Sequence, residues 1–284
     1  MKTRQENLSR ALIVDLLQRY QIRPNKLIGQ NFLVDDKAYA DIISSANLSI
    51  DDTVLEIGAG LGTLTEKISL KVKKLITVEV DVKLAQLTKK RLSNFKNIEL
   101  INADVLSKSV KDFGINQPYK VVANIPYNIT STILKKFLAD DIKPIALTLL
   151  IQHEVGKRVI AKKGEMSLLS LSVQLYSSPK IISMVPRTSF LPSPKVDSVI
   201  LQIDNVHDWP FKDVSEKFYW RIAKIGFSAR RKYLKNNLMA GLRLSGVDIL
   251  SFFKKSNINT QARAQELSID DWRRLSVILL NALN

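Results

Sequence analysis

Between Thr53 and about Ile203, short apolar runs alternate with stretches of helical period, and this pattern leaves the chain few architectures. "TVLEIG" (53–58), "KLITVEVD" (74–81), "IELINAD" (98–104), "KVVAN" (120–124) and "IALTLLIQ" (145–152) read as strands. "LTEKISLK" (64–71), "LAQLTKKRLS" (84–93) and "STILKKFLAD" (131–140) read as helices. Successive strands joined by a crossover helix pair in parallel and carry the helix on a face of the sheet. The expected fold is therefore α/β: a mainly parallel, Rossmann-like sheet covered on both faces.

After about Asp204 the strands stop. "SEKFYWRIAKIGFSARRKYLKNNLMAGL" and "SIDDWRRLSVILLNAL" have helical period. The polar stretch "IDNVHDWP" (203–210) marks the boundary, so residues 1–204 are expected to form one domain and 205–284 a small helical one. The start, "MKTRQENLSRALIVDLL", carries Glu6 and Asp15 and has no small-residue cleavage site. It reads as an amphipathic helix and not as a signal peptide.

Composition narrows the function classes. With 284 residues, 45% of them hydrophobic, the chain can bury a large core. It has no run of 18 apolar residues, so no membrane span or membrane partner is expected. A net charge of +16 points to a polyanionic partner, nucleic acid first. The absence of cysteine excludes disulfides and thiolate metal sites and fits a reducing cytoplasm. His153 and His207, in "QHEVG" and "VHDW", lack metal-ligand spacing, and no metal is expected. No Ser/His/Asp or Cys/His constellation is evident.

The first strand of the alternating region ends in "EIGAGLGTLTEK". Glycines at 58, 60 and 62 let the backbone approach a ligand between strand and helix. Glu79 ends the second strand, where a carboxylate can accept from both hydroxyls of a ribose. Asp104 ends the third, where it can accept from an adenine amino group or simply cap a turn. Three strand ends on one rim favour an adenosine-containing cofactor. A nicotinamide cofactor prefers G-x-G-x-x-G, whereas S-adenosylmethionine matches the shorter E-x-G-x-G-x-G found here. Glu56, which opens that motif, reads as a residue that orients backbone around the turn and not as a catalytic acid.

The fourth strand ends in "NIPYNIT" (124–130). These residue types suit methyl transfer to an exocyclic amine such as adenine N6. Its lone pair is delocalised into the ring, so the site must align the nitrogen and let that pair localise. The side-chain carbonyl of Asn124 and the backbone carbonyl of Ile125 can accept from the two N–H bonds. Pro126 biases Ile125 toward an extended backbone. Tyr127 offers a ring on which an extruded base can stack, and Phe190 in "FLPSPKVDSVI" (190–200) can cover the other face of that base. A proline-stiffened hairpin feeding a last strand is the alternative for this second stretch.

The segments "GQNFLVD" (29–35), "VLEIGAGLGTLT" (54–65), "VEVD" (78–81), "NADVL" (102–106), "NIPYNIT" and "FLPSPKVDSVI" together resemble the ribosomal RNA adenine dimethyltransferases, in order and spacing, over nearly the whole chain. "FSARRKYLKNNL" (227–238) is similar to a C-terminal helix of the bacterial small-subunit type. The resemblance implies that Asn31, Leu33, Gly58, Glu79, Asp104 and Asn124 surround S-adenosylmethionine, and that Tyr127 and Phe190 sandwich the target adenine. Asn31 and Leu33 come from the resemblance alone. It further implies N6,N6-dimethylation of two adjacent adenines near the 3′ end of small-subunit rRNA, within a pre-assembled small subunit and by a monomer. Arg230, Arg231 and Lys232 are expected on a helix, as contacts to RNA backbone. Two other readings stay open: a large-subunit rRNA adenine methyltransferase of the antibiotic-resistance type, which shares "NIPYNI", and a ribosome-assembly factor that has lost the chemistry.

Overall fold

A computed structural model describes residues 8–25 and 29–283. Helix α1 (Leu8–Arg19), the two-residue strand β1 (Phe32–Leu33) and helix α2 (Asp36–Ser45) come first. The alternating region follows as β2 (Thr53–Ile57), α3 (Thr63–Ser69), β3 (Lys74–Glu79), α4 (Val82–Arg91), β4 (Ile98–Asn102), β5 (Lys120–Asn124), α5 (Thr130–Ala139) and β6 (Ala146–Gln152). Then come α6 (His153–Val159), α7 (Leu168–Gln174), β7 (Ser178–Val185), β8 (Phe190–Leu191) and β9 (Ser198–Asp204). Helices α8 (Glu216–Gly226), α9 (Leu234–Leu242), α10 (Gly246–Lys255) and α11 (Ile269–Leu283) close the chain. The amphipathic helix expected at the start is α1; residues 1–7 of that segment lie outside the described residues.

The chain divides into two compact units. One holds Met1–Gly156 and Ser178–Val206, the other Lys157–Ser177 and His207–Asn284, so residues 157–177, expected in the first domain of 1–204, fall in the second unit. In the first, seven strands form a sheet in the order β4-β3-β2-β5-β6-β9-β7. Neighbours from β4 to β6 are parallel, and β9 runs antiparallel to both β6 and β7. The mixed sheet has the Rossmann-like character expected from the alternation. The connections from β2 run outward to β3 and β4, then return so that β5 flanks β2 on its other side. This reversal opens a crevice at the carboxyl ends of β2 and β5, where ligands of open α/β sheets bind.

The central strand is buried along its whole length, as both faces of a parallel sheet must be. Val54 packs with Tyr39, Ile42, Leu64, Ile68, Leu75, Val122 and Ile200 in one core. Strand pleating turns its neighbour Leu55, also fully buried, to the opposite face. Helix α1 adds Ile13 and Leu16 to a smaller cluster with Phe32, Val34, Leu61, Leu84 and Leu87.

In the second unit the structure corrects one expectation. "FSARRKYLKNNL" is not a single helix. Helix α8 ends at Gly226, α9 begins at Leu234, and Arg230, Arg231 and Lys232 lie exposed in the turn between them. The cause is a contact that local periodicity does not reveal. The last carbonyls of a helix lack intrahelical partners, and the buried Asn237 amide donates to Gly226 O at 2.7 Å and Ala229 O at 3.1 Å. Phe227 then stacks on Trp272 with centroids 5.4 Å apart. A Cβ on Gly226 would lie 2.4 Å from the Trp272 ring, so this end of α8 admits no side chain.

Candidate active site

The carboxyl ends of β2, β3 and β5, with the segments that follow β3, β4 and β5, line a cleft of about 300 Å3. Gly29, Asn31, Phe32, Gly58, Gly60, Glu79, Asp104, Asn124, Ile125, Pro126, Tyr127 and Phe190 all contribute to its wall. In-register pairing explains the convergence. Ile57 lies opposite both Val78 and Ala123, Glu79 opposite Asn102, and Asn124 opposite Leu150. Residues one step beyond the register therefore emerge on the same rim.

The turn after β2 is held from both sides. Gly58, Gly60 and Gly62 have φ of +81°, +55° and +79°, a region costly for a residue with a Cβ. On one side Glu79 accepts from Gly60 N at 2.8 Å and, with its other oxygen, from Asp81 N at 2.9 Å. On the other, the Thr88 hydroxyl donates to Gly60 O at 2.8 Å, and the Arg91 guanidinium donates to Leu61 O at 3.0 Å while pairing with Glu66. A Cβ on Gly62 would lie 2.9 Å from both Arg91 Nη1 and Thr88 Cγ2. The backbone amides and carbonyls of the turn are thus oriented by protein groups alone.

Glu79 is 5% exposed. Burial pushes its carboxyl above the usual range, and the amides of Asp81 and Gly60 pull it back. Each of its oxygens retains a lone pair for a further donor. Asp104 is exposed and caps the turn after β4, with Oδ1 accepting from Leu106 N at 2.9 Å. The capping alternative therefore describes one oxygen, and Oδ2 remains for a ligand.

Asn124 is half-buried. Its Nδ2 donates to Asn31 O at 3.4 Å, which leaves Oδ1 as the acceptor. Asn31 in turn donates to Gly29 O at 3.1 Å. Ile125 is 1% exposed and its amide donates to Leu150 O at 3.2 Å, so the backbone past β5 stays pinned to β6. Pro126 O accepts from Ile129 N at 3.2 Å, closing the turn that starts α5. Tyr127 is half-buried and its hydroxyl meets Ser198 Oγ at 2.8 Å. Phe190 lies on the short ladder β1–β8, opposite Leu33; it is 2% exposed, packs in the core with Leu33 and Tyr39, and contributes to the cleft wall.

Two sequence-named residues sit differently from the others. Leu33 is 2% exposed and packs in the core, and its carbonyl accepts from Tyr39 Oη at 2.7 Å. It borders a smaller cavity beside Gly58 and Asn124 and not the main cleft. Glu56 is fully buried and makes no hydrogen bond to the glycine turn, so the role of orienting that backbone belongs to Glu79. Burial lifts the Glu56 carboxyl, the nearby Thr65 and Thr77 hydroxyls offset part of the rise although they stand outside hydrogen-bond geometry, and the group is left at about 7.

Other groups of the site escaped the sequence reading. Thr88, Arg91 and Ser198 carry no local signal, because each acts across 28 or more residues. Val80 had one: an apolar residue directly after an acidic strand end, 57% exposed and on the cleft wall.

The chain matches the family model described as ribosomal RNA adenine dimethylase over residues 22–280. It is 38% identical to ribosomal RNA small subunit methyltransferase A of Dehalococcoides mccartyi, across 92% of this chain and 90% of that protein. It is 35% identical to the protein of the same name from Clostridium acetobutylicum, across 92% and 95%. Among solved structures, it superposes on the 23S rRNA methyltransferase ErmE with a TM-score of 0.70 at 26% identity, covering 88% of this chain and 99% of that one. A dimethyladenosine transferase from Plasmodium falciparum gives a TM-score of 0.69 at 25% identity, covering 86% and 95%.

Proposed function

The chain belongs to the ribosomal RNA adenine dimethylase family, and from that premise we infer that it is the enzyme that methylates N6 of adenine in small-subunit rRNA. The finer reading is that two adjacent adenines near the 3′ end become N6,N6-dimethyladenine, in a pre-assembled subunit, by a monomer. The observation that carries the reading is the single cleft that gathers Gly58, Glu79, Asp104, Asn124 and Tyr127 from separate strand ends. The similarity to a 23S rRNA methyltransferase concerns the shared catalytic fold, while the relatives at 35–38% identity bear the small-subunit name.

The cleft fits S-adenosylmethionine. The glycine turn keeps Cβ atoms out of it, Glu79 and Asp104 hold free acceptor positions for a ribose and an amino group, and Val80 and Leu106 add apolar wall between them. When bound, this cofactor supplies a methyl group already activated on a sulfonium. The protein therefore needs no strong base. Asn124 Oδ1 and the Ile125 carbonyl accept from the N6 hydrogens, an interaction that strengthens as the nitrogen turns tetrahedral. Pro126 fixes that backbone, and Tyr127 with Phe190 confines the extruded base. We propose the first unit as the methyltransferase domain and the second as the RNA-binding one, with Arg230, Arg231 and Lys232 free to meet phosphates. None of the three forms an ion pair among the described residues.

The test combines labelled S-adenosylmethionine with unmethylated small and large subunits, followed by mapping of the labelled base. Label on adenines near the 3′ end of small-subunit rRNA is expected. Label confined to the large subunit sinks the reading, and binding without label favours an assembly factor. Alanine at 230, 231 and 232 together should weaken subunit binding, leave cofactor affinity intact, and flatten the log–log salt slope by up to about 2.7.

A further inference from the structure

We propose that Ser198 is a positioning residue for base recognition: its hydroxyl holds Tyr127 in the rotamer that places its ring where the target adenine stacks. The inference rests on the reading of Tyr127 as the stacking residue. The two hydroxyl oxygens are 2.8 Å apart, and they come from segments 71 residues apart in sequence.

Strand direction brings them together. Strand β9 runs antiparallel to β6, so its first residue, and not its last, reaches the rim where β5 and β6 end. Ser198 pairs with Gln152, the last residue of β6, on one side and with Val185, the last of β7, on the other. Paired on both sides, its backbone is held within the sheet, one strand from the edge, and the residue is fully buried. The residue before it is also fixed. Asp197 Oδ1 accepts from Arg187 N at 2.8 Å, and Asp197 O accepts from His153 N at 3.0 Å. Ser198 is thus a rigid anchor, whereas Tyr127 sits in the turn after β5, half-buried and on the cleft wall.

A tyrosine side chain free to change rotamer must be ordered when a base stacks on it. The phenol oxygen lies on the ring axis, so a hydrogen bond there fixes the first side-chain torsion and the direction of that axis before the base arrives. The hydroxyl is not needed for chemistry at N6, where Asn124 and Ile125 supply the acceptors. Burial raises the Tyr127 phenol above its usual range, so it stays a neutral donor or acceptor toward Ser198 at working pH. The pairing also links "NIPYNIT" to "KVDSVI", two motifs that neither periodicity nor composition connects.

The experiment is a double-mutant cycle on methylation of unmethylated small subunits, using Ser198→Ala, Tyr127→Phe and the combination. The ring survives in each. Each single variant is expected to lower kcat/KM for the subunit about two- to tenfold, the scale of immobilising one side chain. The double variant should lose no more than either single, because one hydrogen bond is removed in all three. Cofactor affinity and thermal unfolding should stay near wild type, which a merely structural role for Ser198 does not predict. Wild-type kcat/KM in Ser198→Ala, or additive losses in the double variant, overturns the proposal. If Ser198→Ala does not fold, the nearly isosteric Ser198→Cys takes its place, and unchanged kcat/KM in Tyr127→Phe is decisive by itself. Failure of wild type to methylate adenine would instead defeat the functional reading beneath.

Discussion

The glycine turn after β2 and the Asn124–Tyr127 turn after β5 stand side by side on adjacent strands, yet they are held in opposite ways. In the first, protein groups grip the backbone at Gly60 and Leu61: Glu79 on the amide side, Thr88 and Arg91 on the carbonyl side. In the second, Asn124 and Ile125 give their N–H groups to Asn31 and Leu150 and keep their carbonyl oxygens for what enters the cleft. One turn is finished before a ligand binds. The other is half-finished: its N–H groups are met and its acceptor oxygens are left open to the cleft. Under the proposed function the first turn serves binding and the second chemistry, and substitutions should separate the two.

Asn124→Ala carries the largest expected effect. Methylation should be abolished, while cofactor affinity stays within about tenfold, ~1.4 kcal/mol. Near-normal turnover would mean that both turns serve binding alone. Glu79→Ala should do the reverse and weaken cofactor binding. Each charged hydrogen bond is worth about 1.5–3 kcal/mol, and the Gly60 amide also loses its partner. Unchanged affinity by calorimetry would remove Glu79 from the site.

Glu56, beneath the finished turn, gives a pH test. Its carboxyl titrates near 7 in the fold, against about 4.3 in an unfolded chain. The folded state therefore holds the extra proton between those values. This contribution to stability is complete below the unfolded value and is lost as pH rises through 7, at about 1.4 kcal/mol per pH unit. Glu56→Gln should abolish the slope and stabilise the protein at pH 8 by roughly 4 kcal/mol. Urea titrations of both proteins from pH 5 to 8 would decide it; parallel curves mean that the carboxyl is ionised in the fold. The smallest effect is expected from Gly62→Ala. The left-handed backbone and the crowding at Thr88 should cost about 2 kcal/mol of stability, with cofactor affinity falling and Asn124 chemistry intact once cofactor saturates.

The strands were legible because central parallel strands are continuous apolar runs, as in "TVLEI" and "ALTLLIQ". Strand β7 was not, since its residues alternate between exposed and half-buried along the sheet edge. The residues on the rim were readable because a glycine, a carboxylate or an amide at a strand end is conspicuous. Their supports were not. Thr88 and Arg91 look like ordinary helix residues, and Ser198 like an ordinary strand start. Only register and strand order reveal what they touch. The basic turn at 230–232 was read as helix because Lys, Arg and Leu all favour one, and nothing local announces the Asn237 amide that ends α8.

The place of β9 sets an order of events during synthesis. Strand β6 leaves the ribosome 46 residues ahead of β9, counting from Gln152 to Ser198. Until β9 arrives, β6 is the open edge of a five-strand parallel sheet, with unpaired backbone groups that any nearby strand could satisfy. Strand β7, made first of the two, finds no slot beside β6, because in the finished sheet β9 lies between them. The nascent chain must hold that edge vacant through an entire helical excursion, and the wall that carries Ser198 closes last.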